Sequence, residues 1–271
     1  MIRCRVNGGL SVISAFATGI GSAVAVDLPM HSEVSQSANE YSGNRVVRKI
    51  LEFTDGEFGS GTRYDISIYS SIPPSRGLKS SSTTVLAVIR PVLELCGIKV
   101  DDATLLNSAA KASIFAGISA TGALDDLAAS FYGGISLCNN AAGRVISVHT
   151  VDESRVAIAY SRKQRPSVSM GDREWETLRE SFSTLPSMVM NGKYREAMQI
   201  NGELMSRITG LDSETLEFLK STVSGTVFQS GKGPAMASFV NGPITVGTPV
   251  PEGLGLISTR LTNSGLEMRE S

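Results

Sequence analysis

Residues Ile72–Thr84 read IPPSRGLKSSSTT, and this stretch decides how the rest of the chain is interpreted. Two prolines and a glycine predict a loop, and the apolar run VLAVI that follows at once predicts a helix. Free amide groups and the positive end of the dipole favour an anion where a helix begins. The stretch is therefore either a serine-rich linker or a loop that holds phosphate, and its own residues leave both interpretations open.

Several side chains of this loop suit a phosphate site. Gly77 permits close approach of the backbone to a ligand, and Lys79 adds a positive charge. A serine hydroxyl beside a phosphate also ligates Mg²⁺, which makes Ser81 and Ser82 candidate metal ligands. The loop is not a Walker sequence, because the spacing of its glycine and lysine differs. The candidate phosphate-binding residues are Pro73, Pro74, Ser75, Arg76, Gly77, Leu78, Lys79, Ser80, Ser81, Ser82 and Thr83.

Two further short motifs are candidates for chemistry. TGALDD, residues Thr121–Asp126, places two carboxylates after a glycine, and either Asp125 or Asp126 would serve as a base for a hydroxyl nucleophile. Acids at an ordinary helix N-terminus explain the same pattern. SGKGPA, residues Ser230–Ala235, predicts a tight turn that either closes a hairpin or closes over a ligand through Gly231, Lys232 and Gly233.

A small basic cluster, SRKQR, covers residues 161–165. It is typical of a solvated loop, but Arg162 or Arg165 would also bind a carboxylate in a two-pronged way.

Composition excludes several classes of function. The 271 residues carry a net charge of −1, which implies no broad basic face for nucleic acid. Three distant cysteines and two isolated histidines indicate neither a disulfide framework nor a metal site. Arg3 and Arg5 precede an apolar stretch that resembles a secretory signal, but glycines interrupt it, and it is too polar for a membrane span. We expect a cytoplasmic protein.

The order of predicted strands and helices is mixed rather than a regular alternation, so the fold class is α+β. A shift in composition predicts a domain boundary near residue 150, which separates domains 1–150 and 151–271. The main predicted elements are strands at 10–16, 21–34 and 253–268, a strand or short helix at 45–53, a helix at 81–97 that Pro91 kinks or breaks, and one helix at 172–192.

Taken together, the three motifs resemble those of the GHMP small-molecule kinases. That family has a Pro-x-x-x-Gly-Leu-x-Ser-Ser loop for ATP phosphates, an aspartate with a glycine about seven residues later, and a third glycine-rich motif. The matching residues are Pro73, Gly77, Leu78, Ser80, Ser81, Asp126, Gly133 and the stretch SGKGPA. Within the family, the closest resemblance is to the archaeal-type shikimate kinases, which share the N-terminal run GGLSVISAFATGIGSAVAVDL.

The resemblance implies a two-domain GHMP kinase fold with the active site in the interdomain cleft. It implies transfer of the ATP γ-phosphate to the 3-hydroxyl of shikimate with Mg²⁺, on the route to chorismate and the aromatic amino acids. The Ser80–Ser82 backbone would cradle phosphates, Ser81 or Ser82 would hold Mg²⁺, and Asp126 would orient or deprotonate the hydroxyl. The alternatives are homoserine kinase, mevalonate kinase and a nucleotide-binding sensor with a decayed site. The sequence leaves the oligomeric state open between a monomer and a homodimer.

The chain departs from the family pattern at two positions. Lys79 stands where many relatives have glycine, and it would either clash with phosphate or contact it. Mevalonate-type relatives place a Mg²⁺-binding glutamate about eleven residues before the aspartate, and this chain has Phe115 there. The metal ligands beyond the loop serines are therefore left open.

Overall fold

The computed structural model describes residues 1–163, 172–210, 212–241 and 249–270. Strands and helices alternate irregularly along these ranges, as expected for a mixed fold. In chain order the elements are β1 (Ile2–Ile13), β2 (Ile20–Gln36), α1 (Arg45–Phe58), β3 (Tyr64–Ser70), α2 (Ser80–Leu95), α3 (Asp102–Phe115), α4 (Leu124–Tyr132), β4 (Ile135–Asn139), β5 (Arg144–His149), β6 (Arg155–Ser161), α5 (Asp172–Ser183), α6 (Leu185–Met190), α7 (Tyr194–Thr209), α8 (Ser213–Thr222), β7 (Val227–Gln229), β8 (Met236–Phe239), β9 (Leu254–Arg260) and β10 (Glu267–Glu270).

The first sheet is built around the long strand β2, which is rich in small and β-branched residues. Its order is β10-β1-β2-β4-β5, and all of its pairings are antiparallel. The first part of β2 pairs with β4, and its last part, Met30–Gln36, pairs with β3. Helices α2 and α4 pack against β1 and β2, which explains why both strands are buried over most of their length.

The second sheet has the antiparallel order β7-β8-β6-β9. Helix α8 packs on β6 and β8, whereas α7 contacts both β7 and β1 and therefore touches both sheets. One apolar cluster extends from Val6 and Leu10 of β1 to Val156 of β6 and Met198 of α7. The two sheets consequently share a continuous core.

Helix α2, which packs against β1 and β2, contains a proline in its interior. Pro91 lies inside α2, which continues unbroken to Leu95, so the predicted break is wrong. A proline has no amide hydrogen to donate to the carbonyl four residues earlier, which here belongs to Ala87. The hydroxyl of Ser32 in β2 donates to that carbonyl at 2.6 Å. The neighbouring strand therefore satisfies the acceptor that the proline leaves free.

Other predicted boundaries need correction. The first strand begins at Ile2 and ends at Ile13. Residues 45–53, predicted as either a strand or a short helix, lie in the helix α1. The single helix predicted at 172–192 is divided at Thr184 into α5 and α6. The strand predicted at 253–268 is two strands, because the chain crosses from the second sheet to the first after β9.

The division into two domains near residue 150 stays a prediction. The sheets do change between β5 and β6, but the last strand, β10, returns to pair with β1. Among the helices in the described ranges, none has both the length and the apolar character needed to cross a bilayer.

Candidate active site

A cleft of about 720 Å³ lies where loops from both sheets meet. It is lined by the tip of the β1–β2 hairpin, the start of α2, the α3–α4 loop, the start of α4 and the turn between β7 and β8. All three motifs singled out in the sequence contribute to it. From those motifs the lining residues are Ser75, Gly77, Lys79, Ser80, Ser81, Ser82, Thr121, Ala123, Asp125, Asp126, Gly231, Lys232, Gly233 and Pro234.

The start of α2 is open to this cleft. Its N-cap residue, Lys79, has a left-handed backbone with φ of 68° and makes no side-chain capping hydrogen bond. The first amide groups of the helix are therefore not covered by a capping side chain, and the positive end of the dipole faces the cleft through Ser80, Ser81 and Ser82. This arrangement is suited to bind an anion.

Backbone strain is concentrated around the cleft. In the described part of the chain, the non-glycine residues with positive φ are Ser75, Lys79 and Ala123, and all three line the cleft. Such conformations cost free energy and persist only where the surrounding structure enforces them. Because Ala123 and Lys79 are the N-caps of α4 and α2, the strain sets the directions of the two helices that begin at the cleft.

Lys79 is paired with Asp126 rather than pointing freely to solvent. Its ammonium group lies 2.8 Å from Asp126 Oδ1 and donates a hydrogen bond to the hydroxyl of Ser11 in β1 at 2.6 Å. The side chains of Lys79 and Asp126 are only 11% and 15% exposed. A charge pair so well shielded from solvent interacts more strongly than a surface pair.

Asp125 has a different environment from its neighbour. It is buried, and its carboxylate accepts a hydrogen bond from the Asn140 amide at 2.6 Å. Its own backbone amide donates to the side-chain oxygen of Asn140. Gly21 makes room for this carboxyl group, because a Cβ there would lie 2.5 Å from Asp125 Oδ2. Burial and then the nearby Asp126 charge raise the pKa of Asp125 to about 7, although Lys79 and Asn140 oppose the rise.

The β7–β8 turn is fastened to the loop that precedes α2. Ser230, at the start of the turn, donates from its hydroxyl to the carbonyl of Gly77 at 2.9 Å and accepts from the amide of Ser11 at 3.1 Å. A Cβ on Gly77 would lie 2.5 Å from the Ser230 carbonyl oxygen, and Gly77 has φ of 79°, so glycine is required there. These contacts hold together β1, the loop before α2 and the β7–β8 turn.

Some predicted site residues lie outside the lining of the cleft. Leu78 is buried in the core, and the Thr83 hydroxyl bonds to the carbonyl of Ser80 within α2. The Arg76 guanidinium donates to the carbonyl of Arg162 at 2.6 Å, so these two residues connect loops. The remaining predicted residues outside the lining are Pro73 and Pro74, and Arg165 lies outside the described residues.

The sequence interpretation missed several residues of the cleft. Ser11 lies in β1 and Ser14 directly after it, and polar side chains within this mostly apolar stretch were the available signal. Asn140 belongs to none of the three motifs, yet it holds Asp125. Phe16, at the hairpin tip, also lines the cleft. By contrast, Phe115 does not line it, and its ring packs 5.9 Å from that of Phe53.

Comparisons with known proteins identify the family. Residues 44–134, which include the α2 loop and both aspartates, match the N-terminal domain of the GHMP kinases. A shikimate kinase from Archaeoglobus fulgidus is 31% identical over 253 residues, which cover 88% of this chain and 84% of that protein. A shikimate kinase from Thermoplasma acidophilum is 29% identical and covers 97% of this chain and 96% of its own length.

Solved structures agree with the fold. A putative homoserine kinase from Listeria monocytogenes superimposes with a TM-score of 0.71 at 16% identity, with full coverage of both chains. A mevalonate kinase superimposes with a TM-score of 0.74 at 13% identity, covering 97% of this chain and all of that one. At such low identity these similarities establish the fold alone.

Proposed function

The chain belongs to the GHMP kinases, in the family of the archaeal shikimate kinases, and on that premise we propose that it transfers the γ-phosphate of ATP to the 3-hydroxyl of shikimate. The product is shikimate 3-phosphate, an intermediate on the route to chorismate and the aromatic amino acids. The observation that carries the proposal is the placement of the Lys79–Asp126 pair at the open start of α2. A phosphate-binding helix end and a carboxylate that can receive a proton thus lie at one place.

The phosphate end of the site is assigned to the start of α2. The amides and hydroxyls of Ser80, Ser81 and Ser82 line the cleft there and supply donors for phosphate oxygens. Lys79 adds a positive charge beside them. The β7–β8 turn, held against Gly77 by Ser230, fixes the loop before the nucleotide arrives. Positioning and electrostatic stabilisation of this kind account for most catalysis of phosphoryl transfer.

The acceptor end is assigned to Asp126. In the proposed step the acceptor oxygen forms a bond to the γ-phosphorus, the bond between that phosphorus and the ADP oxygen breaks, and the hydroxyl proton passes to the Asp126 carboxylate. Lys79 holds the carboxylate in place and offsets its charge in the free protein. Asp125 does not take this role in our proposal, because it is buried and occupied by Asn140.

Mg²⁺ fits this site as a companion of the nucleotide. Within the described residues, no group of three or more His, Cys, Asp and Glu side chains is placed to hold a metal ion. The hydroxyls of Ser81 and Ser82 are oxygen ligands at the cleft, and Mg²⁺ in kinases is commonly held through substrate phosphates with few protein ligands. When bound, the ion neutralises charge on the phosphate oxygens.

A panel of acceptors tests the proposal. Purified protein is incubated with MgATP and, in turn, shikimate, homoserine and mevalonate, and ADP release and the phosphorylated product are measured. We expect turnover with shikimate and none above background with the others. Turnover of homoserine or mevalonate without turnover of shikimate would refute the substrate assignment, and no turnover of any acceptor would favour a nucleotide-binding protein without kinase activity.

A further inference from the structure

A lysine, an aromatic ring and a serine line the cleft close to one another. The Lys232 ammonium, on the β7–β8 turn, lies 4.3 Å from the centroid of the Phe16 ring. The Phe16 ring also stacks on the ring of Trp175 in α5, with 5.2 Å between the ring centroids and an angle of 23° between the planes. Lys232 and Phe16 both line the cleft, so the ammonium and the ring present a charge and an apolar surface side by side.

Lys232 differs from Lys79 because no carboxylate of the described residues forms a salt bridge with it. Among the described residues, its ammonium has the Phe16 ring as its interaction and forms no salt bridge. Partial burial lowers the pKa of Lys232 below its ordinary value. An ammonium group at a cleft, without a salt-bridge partner, is suited to pair with an anionic group on a ligand.

The surroundings favour a carboxylate over a phosphate as that anion. The nucleotide phosphates already have the start of α2, with its backbone amides, serine hydroxyls and Lys79. A polyphosphate requires several donors, whereas Lys232 offers one cation beside an apolar ring. That combination fits a singly charged carboxylate attached to a carbon ring.

Ser14 offers a second polar group for a ligand, beside Phe16 and Lys232. It lines the cleft two residues before Phe16, and its side chain is buried. Its hydroxyl has no hydrogen-bond partner within the described residues, while its amide donates to the side-chain oxygen of Asn201 at 2.8 Å. A buried hydroxyl without a partner costs free energy, which a hydroxyl group on a ligand would recover.

We propose that Lys232 binds the carboxylate of the acceptor, that Phe16 packs against its ring, and that Ser14 hydrogen-bonds one of its non-reacting hydroxyls. The inference rests on the proposed function and assigns the acceptor subsite within the same cleft. It also replaces Arg162, whose side chain lies outside the lining, as the carboxylate ligand. Gly231 precedes Lys232, and a Cβ added to it would lie 3.9 Å from the Lys79 ammonium. The turn that carries Lys232 therefore lies beside the Lys79–Asp126 pair.

Lys232→Met tests the assignment because it keeps the apolar stem and removes the charge. We expect the KM for shikimate to rise about tenfold to a hundredfold, the range for one charge-assisted hydrogen bond, while kcat and the KM for ATP change less than about threefold. Lys232→Arg should recover part of the loss. Arg162→Met and Lys220→Met, which remove a charge outside the cleft, serve as matched controls and should retain the wild-type KM values.

The methyl ester of shikimate, which lacks the negative charge, identifies the group that Lys232 binds. The wild-type protein should prefer shikimate to the ester, and Lys232→Met should lose that preference. Binding is also followed without turnover, by quenching of Trp175, the only tryptophan of the chain, in the presence of a non-hydrolysable ATP analogue. An unchanged preference in Lys232→Met, or loss of preference in Arg162→Met instead, would overturn the inference.

The two proposals fail in different ways. If wild-type protein does not phosphorylate shikimate, the proposed function is wrong. If the panel identifies homoserine or mevalonate instead, that acceptor also carries a carboxylate, and the same comparison of acid and ester in Lys232→Met decides the role of Lys232. If no acceptor is turned over, the comparison is made by quenching of Trp175 on binding of shikimate and its ester, and equal binding of the two by the wild type overturns the inference. If the wild type phosphorylates shikimate and Lys232→Met discriminates against the ester as the wild type does, only the present inference is wrong.

Discussion

The ammonium of Lys79 lies 2.8 Å from the carboxylate of Asp126, which joins the start of α2 directly to the start of α4. The same ammonium donates to Ser11 of β1, so three segments distant in the sequence meet at one charge. From the sequence, Lys79 is a candidate phosphate ligand. It is also a position at which the loop differs from the family motif, because many relatives have glycine there. The pair gives that departure a physical role, because the lysine balances the charge of the proposed proton acceptor.

Replacing Asp126 with asparagine tests that carboxylate directly. The change keeps the shape of the side chain but removes its ability to accept a proton. We expect kcat to fall at least about a hundredfold, in line with the usual contribution of a general base, while ATP binding measured by calorimetry is retained. An unchanged kcat would exclude Asp126 from the proposed role. Asp125→Asn is the matched control and should have the smaller effect.

Three substitutions of Lys79 separate its charge from its backbone conformation. Lys79→Met removes the charge and leaves Asp126 unpaired, so we expect kcat/KM for ATP to fall at least about tenfold. Lys79→Gly also removes the charge, but glycine tolerates φ of 68° and should make this variant about 1 kcal/mol more stable than Lys79→Met in urea unfolding.

Comparing the activity of these variants with their stability shows whether the charge or the backbone conformation of Lys79 is required. If the charge is what matters, Lys79→Met and Lys79→Gly lose activity to a similar extent although they differ in stability, and Lys79→Arg recovers part of it. Full activity in Lys79→Gly would mean that the loop needs only the left-handed backbone conformation at this position.

The buried carboxyl of Asp125 predicts a pH dependence of stability. Its pKa of about 7 in the folded protein lies above the ordinary value of 3.8. Between about pH 4 and 7 the folded protein therefore retains a proton that the unfolded chain releases, and the free energy of unfolding falls as the pH rises through this window. Below pH 4 both states are protonated, so the contribution is fully present there.

Asp125→Asn isolates this effect because all other titrating groups are shared. Urea unfolding at several pH values from 4 to 8 gives the stability of each protein. We expect the wild type to lose more than about 1 kcal/mol relative to Asp125→Asn across the window. A difference that is independent of pH would contradict the raised pKa of Asp125.

Local sequence signals predicted most of the elements and the three loops that line the cleft. The helix α2 and the glycine-bearing turn between β7 and β8 both follow from neighbouring residues. Local signals do not report partners from elsewhere in the chain. The sequence therefore did not predict that Ser32 would satisfy the carbonyl freed by Pro91, or that β10 would return to the first sheet.

The same limit applied within the site. The residues of the Lys79–Asp126 pair are 47 positions apart, and each was identified only through its own motif. Asn140 and Ser11 carry no motif of their own, and only the folded arrangement shows that they hold Asp125 and Lys79. Sequence motifs located the site, whereas the pairing of its charges required the tertiary structure.

Ser230 provides a test of whether the fastened loops matter for nucleotide binding. Its fully buried hydroxyl serves both the Gly77 carbonyl and the Ser11 amide, and Ser230→Ala would leave both backbone groups without this partner. We expect the free energy of unfolding to fall by about 1–3 kcal/mol and the KM for ATP to rise, because the phosphate loop loses its support. Ser183→Ala, at an exposed position on α5, is the control and should change stability by less than about 0.5 kcal/mol. A destabilised Ser230→Ala with an unchanged KM for ATP would show that the contact stabilises the fold without shaping the phosphate site.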